Sequence, residues 1–210
     1  KTIHCIAVAS PDGEPEILPL DEALKCLKNA KEIIGHNIQD FDIRVIKRLY
    51  PDWEFDGLVK DTLVMARMLW PDIRNDDYSI QDYPKNLVGR QSLKSWGYRL
   101  GILKGDFVES TNWETFTPEM AEYCIQDVRV TQALWKKIQE EEPKSDPTAR
   151  EHKFAAVIKQ QERNGFGFDV KEARNLHSVL LDEKNKLQKI MQEEFPPVVE
   201  QMKIPSYYVD

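Results

Sequence analysis

No apolar run in this chain approaches the roughly 18 residues needed to cross a bilayer, so no membrane span is expected. A basic-then-apolar signal peptide is lacking too. Cysteine is scarce. The three thiols, Cys5, Cys26 and Cys124, cannot all pair, and they show no Cys-x-x-Cys spacing and no neighbouring His pair. That excludes a disulfide scaffold, argues against structural zinc, and fits reduced thiols in a cytoplasmic protein. A basic excess is also lacking: 29 Lys and Arg face 36 Asp and Glu, for a net charge of −7. Broad electrostatic wrapping of nucleic acid is therefore disfavoured. A nuclease is not excluded, because carboxylates that gather divalent metals also make a domain acidic. There is no internal repeat, and neither collagen-like nor low-complexity composition.

The 210 residues present are enough for one large domain, or one domain plus part of a second, with a core that needs no staples. The chain opens on Lys1 rather than Met, and a processed or truncated chain is expected. Ile3–Ala9 predicts a buried strand, Pro11–Glu14 a turn and Glu16–Leu18 a return strand. Asp21 is expected to cap a helix running to about Asn29. Lys31–Asn37 predicts a short strand entering a loop. Phe41, Val45, Ile46 and Leu49 then recur at helical spacing up to Pro51. Asp61–Leu69 has strand-to-helix character, residues 71–90 form a polar excursion, and Gln91–Leu100 is helical in pattern. Thr117-Pro118-Glu119 places a capping hydroxyl, a proline and an acid at the start of a helix expected to reach about Gln139. Residues 143–147 predict a linker, and helical patterns follow over 148–163 and 171–195. Strands alternating with helices before residue 140 predict an α/β domain, with an all-helical segment after 148.

Two acids stand out. Asp127 lies four residues after Tyr123, so both share a helix face that Val130 and Leu134 continue. An Asp on an apolar stripe is costly to bury unless it is paired or binds metal. Local spacing alone favours the plain alternative, a capped or Arg-paired acid. Asp42 lies near the start of the helix after the Ile33–Asn37 segment, where a capping role is the ordinary explanation.

Longer blocks shift that balance. Gly35–Asp42, with Asn37 followed by Phe41-Asp42, resembles the second exonuclease motif of family A DNA polymerases. Tyr123-Cys124-Ile125-Gln126-Asp127 resembles the third, Tyr-x-x-x-Asp. Between them, in the family's order, lie Asp61-Thr62-Leu63 and Ser92–Gly101. The Trp-Gly-Tyr-Arg-Leu-Gly run, followed by Lys104-Gly105, looks most like replicative polymerases of short-tailed phages. Gln161–Asp169 is similar to the segment that opens the polymerase domain of that family.

The resemblance implies a 3′–5′ proofreading exonuclease with an RNase H-like fold, a mixed sheet with flanking helices, followed by an all-helical segment. Residues 1–142 would form the exonuclease domain, 143–147 the linker and 148–210 the start of the polymerase domain. It further implies hydrolysis by two divalent metal ions, Mg²⁺ or Mn²⁺, about 4 Å apart. Asp127 would ligate the water-bearing metal and Asp42 the second. The Tyr123 hydroxyl would position the water, while Asn37 and Phe41 would lie near the terminal nucleotide. The implied partners are a single-stranded DNA 3′ end and the remainder of the polymerase polypeptide. Any processivity factor would bind outside this segment. The implied location is the cytoplasm, that of a bacterial host if the protein is phage-encoded.

The family's first motif, Asp-x-Glu on the first strand, has no counterpart here. Asp12-Gly13-Glu14 lies in a turn, and Asp52-Trp53-Glu54 follows the second motif, in the wrong order. Without that motif, Asp42 and Asp127 alone should bind metal poorly, and their repulsion should raise at least one pKa. Two alternatives follow: a catalytically inactive platform bracing a polymerase, and a free-standing exonuclease acting on RNA.

Overall fold

The computed structural model describes residues 2–102, 115–141 and 148–196. The chain divides into two compact units, Lys1–Arg163 and Asn164–Asp210. The expected linker at 143–147 and the Lys104-Gly105 pair lie outside the described residues.

In the first unit, β1 (Ile6–Val8) pairs antiparallel with β2 (Glu16–Leu18), Ala7 opposite Ile17. The three-residue β2 limits β1 to less than the Ile3–Ala9 run, since a strand ladder extends only as far as its partner. Helix α1 (Leu20–Asn29) follows. Asp21 does not cap it: Pro19 takes the cap position, and Asp21 joins Glu22 in the first turn, where acid complements the helix dipole. Then come β3 (Glu32–Gly35), α2 (Asp42–Leu49), β4 (Leu58–Asp61) and α3 (Thr62–Leu69). β3 and β4 pair in parallel, Ile33 opposite Val59. α2 serves as the crossover between them, since parallel neighbours cannot be joined by a tight turn. The protein is thus α/β. Among the described residues its strands form two separate two-stranded sheets rather than one mixed sheet.

The polar excursion is more ordered than its composition suggests. It holds α4 (Ile73–Asp77) and a 3₁₀ turn at Lys85–Leu87, and it buries Ile73, Tyr83 and Leu87. Asp77 explains why. Its carboxylate accepts from Arg99 Nε at 2.7 Å, Arg99 Nη2 at 2.9 Å and the Gly89 backbone N–H at 2.8 Å. This buried pair bolts the excursion to α5 (Leu93–Arg99).

Helix α6 (Pro118–Glu141) is the spine. It packs against β1, β2, β3, α3 and α5. Thr117 caps it as expected, accepting from the Met120 N–H. Val130, Leu134, Trp135 and Ile138 are buried with Met65, Ala66, Ile73 and Trp96 in the main core. Trp96 is fully enclosed, its indole N–H donating to Gln91 Oε1. A second cluster joins Leu24, Ile46 and Trp53, and the Trp53 indole donates to Leu24 O. α7 (Thr148–Asn164) completes the helices of the first unit and stops at Gly165, whose φ of +64° suits a residue without a side chain.

In the second unit, α8 (Val170–Glu194) is capped by Asp169, which accepts from the Glu172 N–H. None of its residues is buried. Leu176, Leu180, Leu187 and Ile190 are exposed. Lys186 and Lys189 pair with Glu183 and Glu193, as on a solvated helix face. No helix among the described residues is long and apolar enough to cross a membrane.

Candidate active site

The β3–α2 connection carries three of the sequence-predicted residues. Asn37 adopts φ +59°, a left-handed conformation that Asn tolerates better than most residues. The turn is tight because Ile38 folds back over Gly35. A Cβ on Gly35 would sit 2.6 Å from Ile38 Cδ1. Phe41 occupies the cap position of α2 and is 63% exposed. Asp42 is the first residue of α2.

Asp61 holds this loop in place. It is 2% exposed and ends β4 as the N-cap of α3. Its carboxylate accepts from Asn37 N at 2.9 Å, Gln39 N at 3.2 Å and Leu63 N at 3.0 Å. Three main-chain donors therefore compensate one buried negative charge, the condition under which burying it is tolerable. Beside it, the Thr62 hydroxyl lies between Gly35 O, to which it donates, and His36 Nδ1 at 3.0 Å. The sequence marked Asp61-Thr62-Leu63 only as a block in a familiar order. An Asp before an apolar helix start is a cap signal, but its reach across to the Asn37 loop is not visible in one dimension.

On α6, Tyr123 and Asp127 are both partly buried, one turn apart. The fold brings Asp127 into electrostatic range of Asp42. The Asp42 carboxyl is pushed up to about 6, first by the protein crowded around it and then by the charges of Asp61 and Asp127; its own backbone N–H works the other way. Solvent still reaches Asp42 as a residue, which screens the effect. Cys124, next to Tyr123, faces Cys5. Burial, and then Cys5, push its thiol up to about 12, so it stays protonated near neutral pH.

The two Asp-x-Glu look-alikes lie elsewhere. The turn carrying Asp12 and Glu14 is tied to a different face of α6, where Gln132 Nε2 donates to Ser10 O and Gly13 O. Arg129 pairs with Glu14 there, and Lys136 with Asp12. Asp52 and Glu54 are exposed on either side of the buried Trp53.

The donor set bears directly on metal. Among the described residues no group of three or more His, Cys, Asp or Glu side chains is placed to hold a metal ion. Asp61 adds a third carboxylate nearby, but its oxygens are committed to backbone donors. The described residues by themselves do not fit a two-metal centre.

Comparison with known proteins supplies the context. The DNA-directed DNA polymerase of Enterobacteria phage T3 is 30% identical over 213 aligned residues, covering 80% of this chain and 30% of that protein. The DNA-directed DNA polymerase of Escherichia phage T7 is 30% identical over 207, covering 78% and 29%. This chain is similar to phage DNA-directed DNA polymerases. It spans under a third of the length of these relatives. No protein-family model matches it.

Proposed function

We propose that this chain is the 3′–5′ proofreading exonuclease portion of a family A DNA-directed DNA polymerase, with an RNase H-like fold. One observation carries the reading: Asp42 and Asp127, remote in sequence, come within electrostatic range, so that the Asp127 charge helps raise the Asp42 carboxyl, as expected of two carboxylates serving one reaction centre. The similarity to phage DNA polymerases supports it. In this reading Asp42 and Asp127 form the acidic floor of the site. The Tyr123 phenol, held one turn from Asp127 on a rigid helix, orients the attacking water. Exposed Phe41 offers a ring face to the terminal base, and the Asn37 turn borders it. Mg²⁺ or Mn²⁺ would supply the Lewis acidity when bound, and would need ligands beyond Asp42 and Asp127.

The test is digestion of a labelled single-stranded DNA in Mn²⁺ and in EDTA. In a protein supplied with the Asp-x-Glu strand, release of 3′-terminal nucleotides in Mn²⁺ only, lost by a factor of about 10² or more in Asp127→Ala, is the expected outcome. Digestion by Asp127→Ala at the parent's rate would sink the reading. A second reading, an exonuclease-fold platform without activity, is favoured by the commitment of Asp61 to main-chain donors. It predicts no digestion and no metal binding, with normal folding. An RNA substrate run alongside separates DNA from RNA ends.

A further inference from the structure

The Asp61 clamp is itself held from far along the chain. His152 on α7 is 8% exposed, and both ring nitrogens are engaged. Nδ1 lies 2.6 Å from Thr148 O. A carbonyl only accepts, so Nδ1 carries the proton. Nε2 is left as an acceptor, and it takes the Asp61 backbone N–H at 2.7 Å across 91 residues of sequence. The hydrogen bonds thus select one neutral tautomer of the ring. The relay runs from Thr148 through His152 to Asp61, and from the Asp61 carboxylate to the N–H groups of Asn37 and Gln39, at the head of the loop that delivers Phe41 and Asp42. α7 touches that loop a second time: Arg163 Nη1 lies 3.2 Å from Asp40 Oδ1, and Lys159 Nζ 3.8 Å from Asp40 Oδ2.

We propose that His152 is a positioning residue of this site, and that α7, although it follows the exonuclease motifs in sequence, is part of the site's mount. Without an acceptor at His152, the buried Asp61 N–H loses its partner, and the β4–α3 corner shifts to recover one. The carboxylate of Asp61 moves with that corner, and the Asn37–Gln39 turn loosens. The effect on activity rests on the exonuclease reading above; the effect on the loop does not.

Two variants separate positioning from simple support. His152→Leu fills the space but offers no acceptor, while His152→Gln keeps an oxygen able to take the Asp61 N–H. Amide hydrogen exchange is read at Asn37, Gln39 and Asp61, with Leu27 in α1 as control, in the full chain. Leu is expected to speed exchange at the first three by about tenfold or more while sparing Leu27, and Gln to restore protection. On single-stranded DNA, Leu is expected to lower kcat by about 10–100-fold with KM little changed, and Gln to recover most of it. Unchanged exchange at Asn37 and Gln39 in Leu, or equal acceleration at Leu27, overturns the proposal. Local loosening with no digestion by any variant or the parent, each supplied with the Asp-x-Glu strand, upholds the anchor and removes the exonuclease reading instead.

Discussion

Asp42 and Asp61 are both carboxylates near one helix junction, yet they differ in what surrounds them. Asp61 is buried with three N–H donors, and so its charge is compensated. Asp42 has protein around its carboxyl and two negative neighbours, which push it up to about 6 from 3.8. A carboxyl raised on folding is favoured in its neutral form. The associated stability is fully present below about pH 4 and is lost as pH rises through about 6. Asp42→Asn should therefore stabilise the metal-free chain at pH 8, by roughly 1 kcal/mol at most once solvent screening is allowed for. Near pH 3.5 the substitution should bring no gain. Urea unfolding at the two pH values checks this, and an equal gain at both would show that charge is not the cause. The expectation from sequence that repulsion raises a carboxyl pKa holds for Asp42, but it captures the lesser part, since crowding by protein is the larger cause.

At the level of elements, what the sequence made legible is what repeats locally. Local patterning marks α2, α5, α6 and α7 to within about two residues, whereas Asp61–Leu69 predicts only a strand-to-helix change without the boundary at Thr62. Thr117-Pro118 marks a helix start for an equally local reason. Pairings were not legible. Nothing near Asp61 announces His152, and nothing in the polar run 71–90 announces that Asp77 will be buried against Arg99. The Trp-Gly-Tyr-Arg block is accordingly a packing device: Trp96 and Gly97 are buried, and Arg99 closes the excursion while lying over the Trp96 ring. Asp77→Ala leaves that guanidinium without its counter-charge and should cost about 3–5 kcal/mol. Chemical denaturation measures the loss. A cost below about 1 kcal/mol would mean that the pair does not hold the excursion. Replacing both partners, Asp77→Leu with Arg99→Met, should recover only part, because Gly89 N–H and Arg90 O then lose their partners too.

For the whole molecule, the first compact unit includes α7 and ends at Arg163. A chain cut between Glu141 and Thr148 would lose the His152 bond to Asp61 and the Asp40 ion pairs together. Such a cut is expected to lower the melting temperature by several degrees, since one or two kcal/mol moves a domain of this size by about 2–8 °C. It should also open the Asn37 loop to proteases. A truncated chain that melts and resists cleavage like the full one would show that α7 is only an appendage. The Asp61 clamp has one more consequence, for how far this region can drift in sequence. It grips Asn37 and Gln39 by their main chain alone, and every residue except proline offers that handle. Position 61 is thereby tied to one chemistry, while position 39 can try many without loosening the frame. A single stationary acid gives its neighbours room to change, and the loop it grips can be retuned one letter at a time.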